Sequence, residues 1–203
     1  MFKIAVLVSG GGSNLQSIID SIENGYLNCC VEYVISDKKG IYALERAEKH
    51  NIKNMALDKK ELGANLSDEI LKIIDGKVDL IVLAGYLSIL KGELLNKFKN
   101  KIINIHPALI PSFCGAGMYG IKVHQKAIEY GVKIAGCTVH FVDEGTDTGI
   151  IILQKAVEVK DSDNAEELQQ RVLVQEHIAL PEAIKLISEN RILIEGRKAR
   201  IIN

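Results

Sequence analysis

The first hundred residues alternate between short, unbroken apolar runs and longer stretches in which apolar residues recur every three or four positions. Lys3 to Val8 is the first run and ends at Ser9-Gly10-Gly11-Gly12-Ser13, after which Leu15, Ile18, Ile19 and Ile22 follow helical spacing. Cys30 to Ser36 predicts a second strand, Tyr42 to His50 a short helix and Asn54 to Leu57 a brief third strand. Ile70, Ile73 and Ile74 mark another helix. Leu80 to Ala84 is a fully apolar strand, and Ile102 to Ile105 a further one after a helix around Leu90 to Phe98. Strands apolar on both sides and separated by helices predict a doubly wound, mostly parallel α/β sheet with helices on both faces. Val139 to Val142 and Ile150 to Val159 are joined by a short connection, which predicts an antiparallel C-terminal addition. Asp161 to Asn164 supplies helix-start chemistry for an amphipathic stretch reaching about Asn190, which Pro181 should break or kink. No repeat or linker divides the chain, so a single domain over 1–203 is expected.

Composition narrows the function classes. The net charge is −1, and no block of basic residues is interleaved with aromatics, so a nucleic-acid surface is not expected. No apolar run reaches membrane-spanning length and no basic region precedes the first one, which predicts a cytoplasmic protein without membrane contact. The four cysteines, Cys29, Cys30, Cys114 and Cys137, form no C-x-x-C pair and read as reduced thiols.

Polar residues at the ends of the apolar runs carry the candidate chemistry. Asn104, Ile105 and His106 alternate along a strand, so Asn104 and His106 project from the same side. Asp147 lies in the turn-like segment Glu144 to Gly149. An amide that donates to an oxygen, an imidazole that moves protons near neutral pH and a carboxylate that orients it form a minimal acyl-transfer site. The same residues also admit blander roles, a hydrogen-bonding structural His and a turn-forming Asp. His140 stays open between structural and catalytic, and His124 could reach a ligand from its Gly-rich loop. Ser9 to Asn14 opens the first helix, where backbone N–H groups favour an anion and Ser13 and Asn14 add side-chain donors. Leu15 stands where a dinucleotide fingerprint needs its third Gly, and no Gly-Lys-Ser/Thr follows. A short phosphate cradle remains, or a tight turn that binds nothing. Gly115, Gly117 and Gly120 make Pro111 to Gly120 either a mobile flap beside the site or a surface insertion. No zinc-like ligand spacing is present, so no metal is expected.

Taken together, these segments resemble the folate-dependent formyltransferases, and among them the phosphoribosylglycinamide formyltransferase family of purine biosynthesis. The matching pieces are Val8 to Gln16, Val82-Leu83-Ala84-Gly85-Tyr86, and Asn104-Ile105-His106-Pro107 continuing to Pro111. They go on with Val139-His140-Phe141-Val142, Asp147-Thr148-Gly149 and Val174-Gln175-Glu176-His177, in family order. The resemblance implies a Rossmann-like fold and formyl transfer from 10-formyltetrahydrofolate, as co-substrate, to the amine of N1-(5-phospho-D-ribosyl)glycinamide (glycinamide ribonucleotide). It implies that Gly12, Ser13 and Asn14 hold the substrate phosphate and that Glu176 helps bind the ribosyl part. Leu87, Ser88, Ile89 and Leu90, with Asn104 and residues 140 to 147 including His140, would border the folate pocket. His106 would be the general acid, Asn104 the oxyanion donor, and Asp147 the partner that raises the imidazole pKa. Ser88 stands where many relatives carry a folate-contacting Arg, and Lys59 to Ala64 offers no match for a second one. The implied partners are the two small substrates, with the chain a monomer or homodimer. Methionyl-tRNA formyltransferase and formyltetrahydrofolate deformylase share the core but would carry further domains, for which no room is expected. A phosphosugar-binding module without turnover is the rival from another class.

Overall fold

The unbroken apolar runs become strands that find cover on both faces. In a computed structural model describing residues 1–203 the order is β1 (Phe2–Val8), α1 (Ser13–Glu23), β2 (Cys29–Ser36), α2 (Tyr42–Lys49) and β3 (Asn54–Ala56). Then come α3 (Lys59–Leu62), α4 (Leu66–Ile74), β4 (Leu80–Leu83), α5 (Glu93–Lys97), β5 (Ile102–His106) and α6 (Ile121–Tyr130). The chain closes with β6 (Ile134–Phe141), β7 (Ile151–Glu158), α7 (Ala165–Ser188), β8 (Ile192–Glu195) and β9 (Lys198–Ile201). Seven strands form one sheet in the order β3-β2-β1-β4-β5-β6-β7, and β8-β9 pair separately. The first five are mutually parallel, whereas β6 runs antiparallel to β5 and β7 antiparallel to β6.

Two cores follow from the two-residue period of a strand. Ile4, Val6 and Val8 of β1, with Leu80 and Val82 of β4, join a core containing Leu15 and Ile18 of α1 and Leu180 and Ile184 of α7. Ala5 and Leu7, with Ile81 and Leu83, join a second core under Ile70 and Ile74 of α4 and Leu94 of α5. Strand order reverses between β1 and β4, so the segments after those strands flank a crevice at the carboxyl edge, where ligands of open α/β sheets bind.

Three expectations change. The helix α7 runs unbroken from Ala165 to Ser188 through Pro181. Pro181 is buried beside Leu180, Ala183 and Ile184, and that packing holds the helix where proline removes a backbone bond. The helix expected around Leu90 to Phe98 shrinks to Glu93–Lys97, because Leu90 belongs to a loop fixed at the crevice. Strand β6 begins at Ile134 instead of Val139, its first half carrying small and polar residues. The helix α6 and the β8-β9 hairpin add to the elements expected from the sequence, α6 burying Val123 and Ala127 one turn apart.

Candidate active site

Strand β5 puts Asn104 and His106 on one side, and register places Asn104 opposite His140 and His106 opposite Thr138 on β6. Both candidate residues line one cavity of about 700 Å³ at the crevice. Asp147 reaches it from the turn after β6, at a left-handed φ of 58° that Asp tolerates better than most residues. That turn is held close because Gly149 lies against the Phe141 carbonyl, where any Cβ would come within 1.7 Å of the oxygen. The Asp147 carboxylate accepts from the Gly115 N–H at 2.9 Å and lies 3.5 Å from His106 Nδ1 and 3.6 Å from His140 Nε2. Residues far apart in sequence thus meet as expected.

Hydrogen-bond partners assign the ring nitrogens. His106 Nε2 lies 2.9 Å from the Phe113 carbonyl, which only accepts, so this nitrogen carries a proton. A neutral His106 would then turn the Nδ1 lone pair toward Asp147, whereas the imidazolium turns an N–H toward it. His140 Nδ1 donates to the Phe141 carbonyl at 2.8 Å, which leaves Nε2 to accept from the Asn104 amide at 3.2 Å. One of the two N–H bonds of that amide is thereby used and the other is left over.

The electrostatics revise one expectation. Burial drives the His106 pKa below its ordinary value, although Asp147 and the Phe113 carbonyl both pull it up. The pull of Asp147 has the expected sign but burial outweighs it, because the ring is 4% exposed. Burial would lift the Asp147 carboxyl, yet the imidazoles of His140 and His106 in their protonated forms, with the Gly115 N–H, hold it below the usual range.

The glycine loop reaches the same cavity through the start of α1. Gly12 caps α1 at φ 74° with no side-chain cap, and the first turn of that helix carries no acid. Ser13 and Asn14 line the cavity, but Gly12 does not: it turns the chain against Ala43, which a Cβ would approach to 2.7 Å. Asn14 donates to Glu176 Oε2 at 2.7 Å, so part of its donor capacity is spent inside the protein. Burial raises the pKa of Glu176, a buried residue on the cavity wall, against the effect of that hydrogen bond. Gln169, Leu173 and Glu176 reach the wall from one face of α7, an i, i+4, i+7 spacing that could have pointed to them.

Leu87, Ser88, Ile89 and Leu90 all line the cavity, as do Val142, Asp143 and Gly115 to Gly120 of the flap segment. Side chains from three distant segments fix the 87–91 loop. Ser9 Oγ accepts from Leu87 N at 2.8 Å, and Ser88 Oγ donates to the buried Asp37 at 2.6 Å. Ser67 Oγ accepts from Lys91 N at 3.1 Å. His124, on α6, is buried at the wall and pushed down to about 4 by burial and by His106. No three His, Cys, Asp or Glu side chains cluster as metal ligands would, no helix is long and apolar enough to cross a membrane, and all four cysteines are free.

Comparison with known proteins agrees with this architecture. The formyl transferase family pattern matches residues 2–184. A chloroplastic phosphoribosylglycinamide formyltransferase of Arabidopsis thaliana is 42% identical over 194 residues, covering 94% of this chain and 66% of that protein. The trifunctional purine biosynthetic protein adenosine-3 of Chironomus tentans is 38% identical over 200 residues, 96% of this chain but 14% of that protein. The chain therefore spans only a fraction of some of its relatives. The crystal structure of glycinamide ribonucleotide transformylase 1 from Symbiobacterium toebii superposes with a TM-score of 0.94 at 42% identity, over 100% of this chain and 95% of that one. The chain belongs to the formyl transferase family, in the group of the phosphoribosylglycinamide formyltransferases.

Proposed function

We propose that this protein, acting as one domain, transfers a formyl group from 10-formyltetrahydrofolate to the amine of glycinamide ribonucleotide in purine biosynthesis. The observation that carries the reading is the convergence of Asn104, His106 and Asp147 on the wall of a cavity that the N-terminus of α1, free of a side-chain cap, also lines. The donor supplies an electrophilic formyl carbon. The mostly apolar 87–90 loop and Val142 suit a flat heteroaromatic ring, and the helix start that Gly12 turns and that faces the cavity through Ser13 and Asn14 suits a phosphate, with Glu176 near the sugar hydroxyls. As the amine attacks the formyl carbon, the free N–H of Asn104 meets the developing oxyanion, and the positive charge of the nearby His106 imidazolium stabilises it. As the bond from the formyl carbon to the folate nitrogen breaks, His106 acts as general acid and gives that nitrogen a proton, Asp147 stabilises the charged form of the imidazole, and the proton lost by the attacking amine restores the acid. His140, with both nitrogens engaged, orients the Asn104 amide while its ring borders the folate. No metal is required by this route.

Mixing the protein with both substrates and following free tetrahydrofolate tests the reaction. The His106→Ala variant should lose ~10²–10⁴-fold in kcat, the usual worth of a positioned acid, while still binding the phosphate substrate. Near wild-type turnover by that variant would remove His106 from the chemistry. Wild-type protein that binds the ribonucleotide without releasing tetrahydrofolate would favour a binding module.

A further inference from the structure

No Lys or Arg side chain lines the cavity, although the proposed acceptor carries a phosphate. The cation bound directly to the glycine loop stands behind it. Arg46 of α2 donates through Nε to the Gly11 carbonyl at 2.9 Å and through Nη1 to Gln16 Oε1 at 2.9 Å, and it stacks on Tyr42 with its Cζ 4.7 Å from the ring centre. One turn earlier, the Ala43 N–H donates to the Gly10 carbonyl at 3.2 Å. Two successive loop carbonyls are thus drawn toward α2. In a planar trans peptide the C=O and N–H point opposite ways, so the N–H groups of Gly11 and Gly12 are turned away from α2. Neither these nor the N–H of Ser13 donates to any backbone carbonyl.

We propose that Arg46 is a positioning residue for the anion site: by holding the Gly11 carbonyl, it keeps the glycine-loop N–H groups aimed at the phosphate of the acceptor. The inference rests on reading Ser9 to Asn14 as a phosphate cradle. A guanidinium suits the task because its fixed fork engages Gly11 and Gln16 at once while its plane lies on Tyr42, which a point-like ammonium cannot reproduce.

The test compares wild type, Arg46→Ala and Arg46→Lys in two readouts, thermal stabilisation by inorganic phosphate and steady-state kinetics. Both variants should bind phosphate about tenfold more weakly and show a matching rise in KM for glycinamide ribonucleotide, the order expected for a lost charge-assisted contact. Turnover number, the KM for the formyl donor and the melting temperature without phosphate should stay near wild type. Recovery of phosphate binding in Arg46→Lys would reduce the role to bulk charge and overturn positioning. Unchanged phosphate binding in both variants would overturn it outright. If Arg46→Ala melts early, Gln16→Met, which keeps the guanidinium but frees Nη1, should show the same loss in weaker form, and wild-type affinity there would count against the proposal. The phosphate readout does not use the transfer reaction. A wild type that binds phosphate but transfers nothing leaves the Arg46 inference standing and sinks the proposed function, while a wild type indifferent to phosphate sinks the cradle itself.

Discussion

Phe113 adopts φ 48°, a left-handed conformation that a bulky side chain takes only under constraint. Its ring makes an edge-on contact with Tyr130 at 6.0 Å between centroids, and its carbonyl accepts a hydrogen bond from His106 Nε2. The strained residue thus fixes which His106 nitrogen faces Asp147. Asp147 can be tested without disturbing the backbone, because Asn tolerates the same φ. If the acid form of His106 is the active one, kcat/KM falls as pH rises through the lowered His106 pKa. Asp147→Asn removes the coulombic pull that raises this pKa, so the decline should move to still lower pH, with turnover at neutral pH reduced and phosphate-substrate KM near wild type. A pH–rate profile that stays in place or moves to higher pH would show that the pair is not coupled in catalysis. Asn104 and His106 were legible in the sequence because strand alternation puts them on one side. Phe113 and Arg46 were not, because each acts through a backbone oxygen whose direction no spacing reveals.

Elements place these groups, and their ends matter most. Helix α7 starts with a reciprocal capping box: Asn164 Oδ1 accepts from Glu167 N at 2.9 Å and Glu167 Oε2 accepts from Asn164 N at 3.0 Å. Asn164→Ala should cost about 1 kcal/mol and lower the melting temperature by roughly 2–4 °C, a shift read by thermal unfolding. An unchanged midpoint would mean that the helix is held entirely by its packing. The Asp161 to Asn164 cluster announced this start, since capping chemistry is local. Pro181 misled because the core across α7 overrides a local preference. The 87–91 loop was misjudged for a related reason: its pins come from Ser9 and Asp37, just past β1 and β2, and from Ser67 of α4.

The assembled molecule buries an imidazole whose protonation costs stability. The His124 pKa falls from 6.5 to about 4 in the folded chain, so the unfolded chain binds more protons between those values. The resulting stability is fully present above pH 6.5 and is lost as pH falls toward 4, by about 3 kcal/mol for this group alone. Denaturant unfolding at pH 7 and pH 4 should show His124→Gln losing correspondingly less stability than wild type over that interval. Equal losses would deny His124 this role. The strands of the parallel half, their burial on both faces, the starts of α1, α2 and α7 and the residue types for acyl transfer were readable from the chain, because periodicity and capping depend on neighbours a few positions away. Folding alone settled the distance from His106 to Asp147, the capture of the Gly11 carbonyl by Arg46, and the dominance of burial over charge at His106. Those depend on which distant segments share a boundary with water excluded, and desolvation is a property of that enclosure that a linear pattern does not encode.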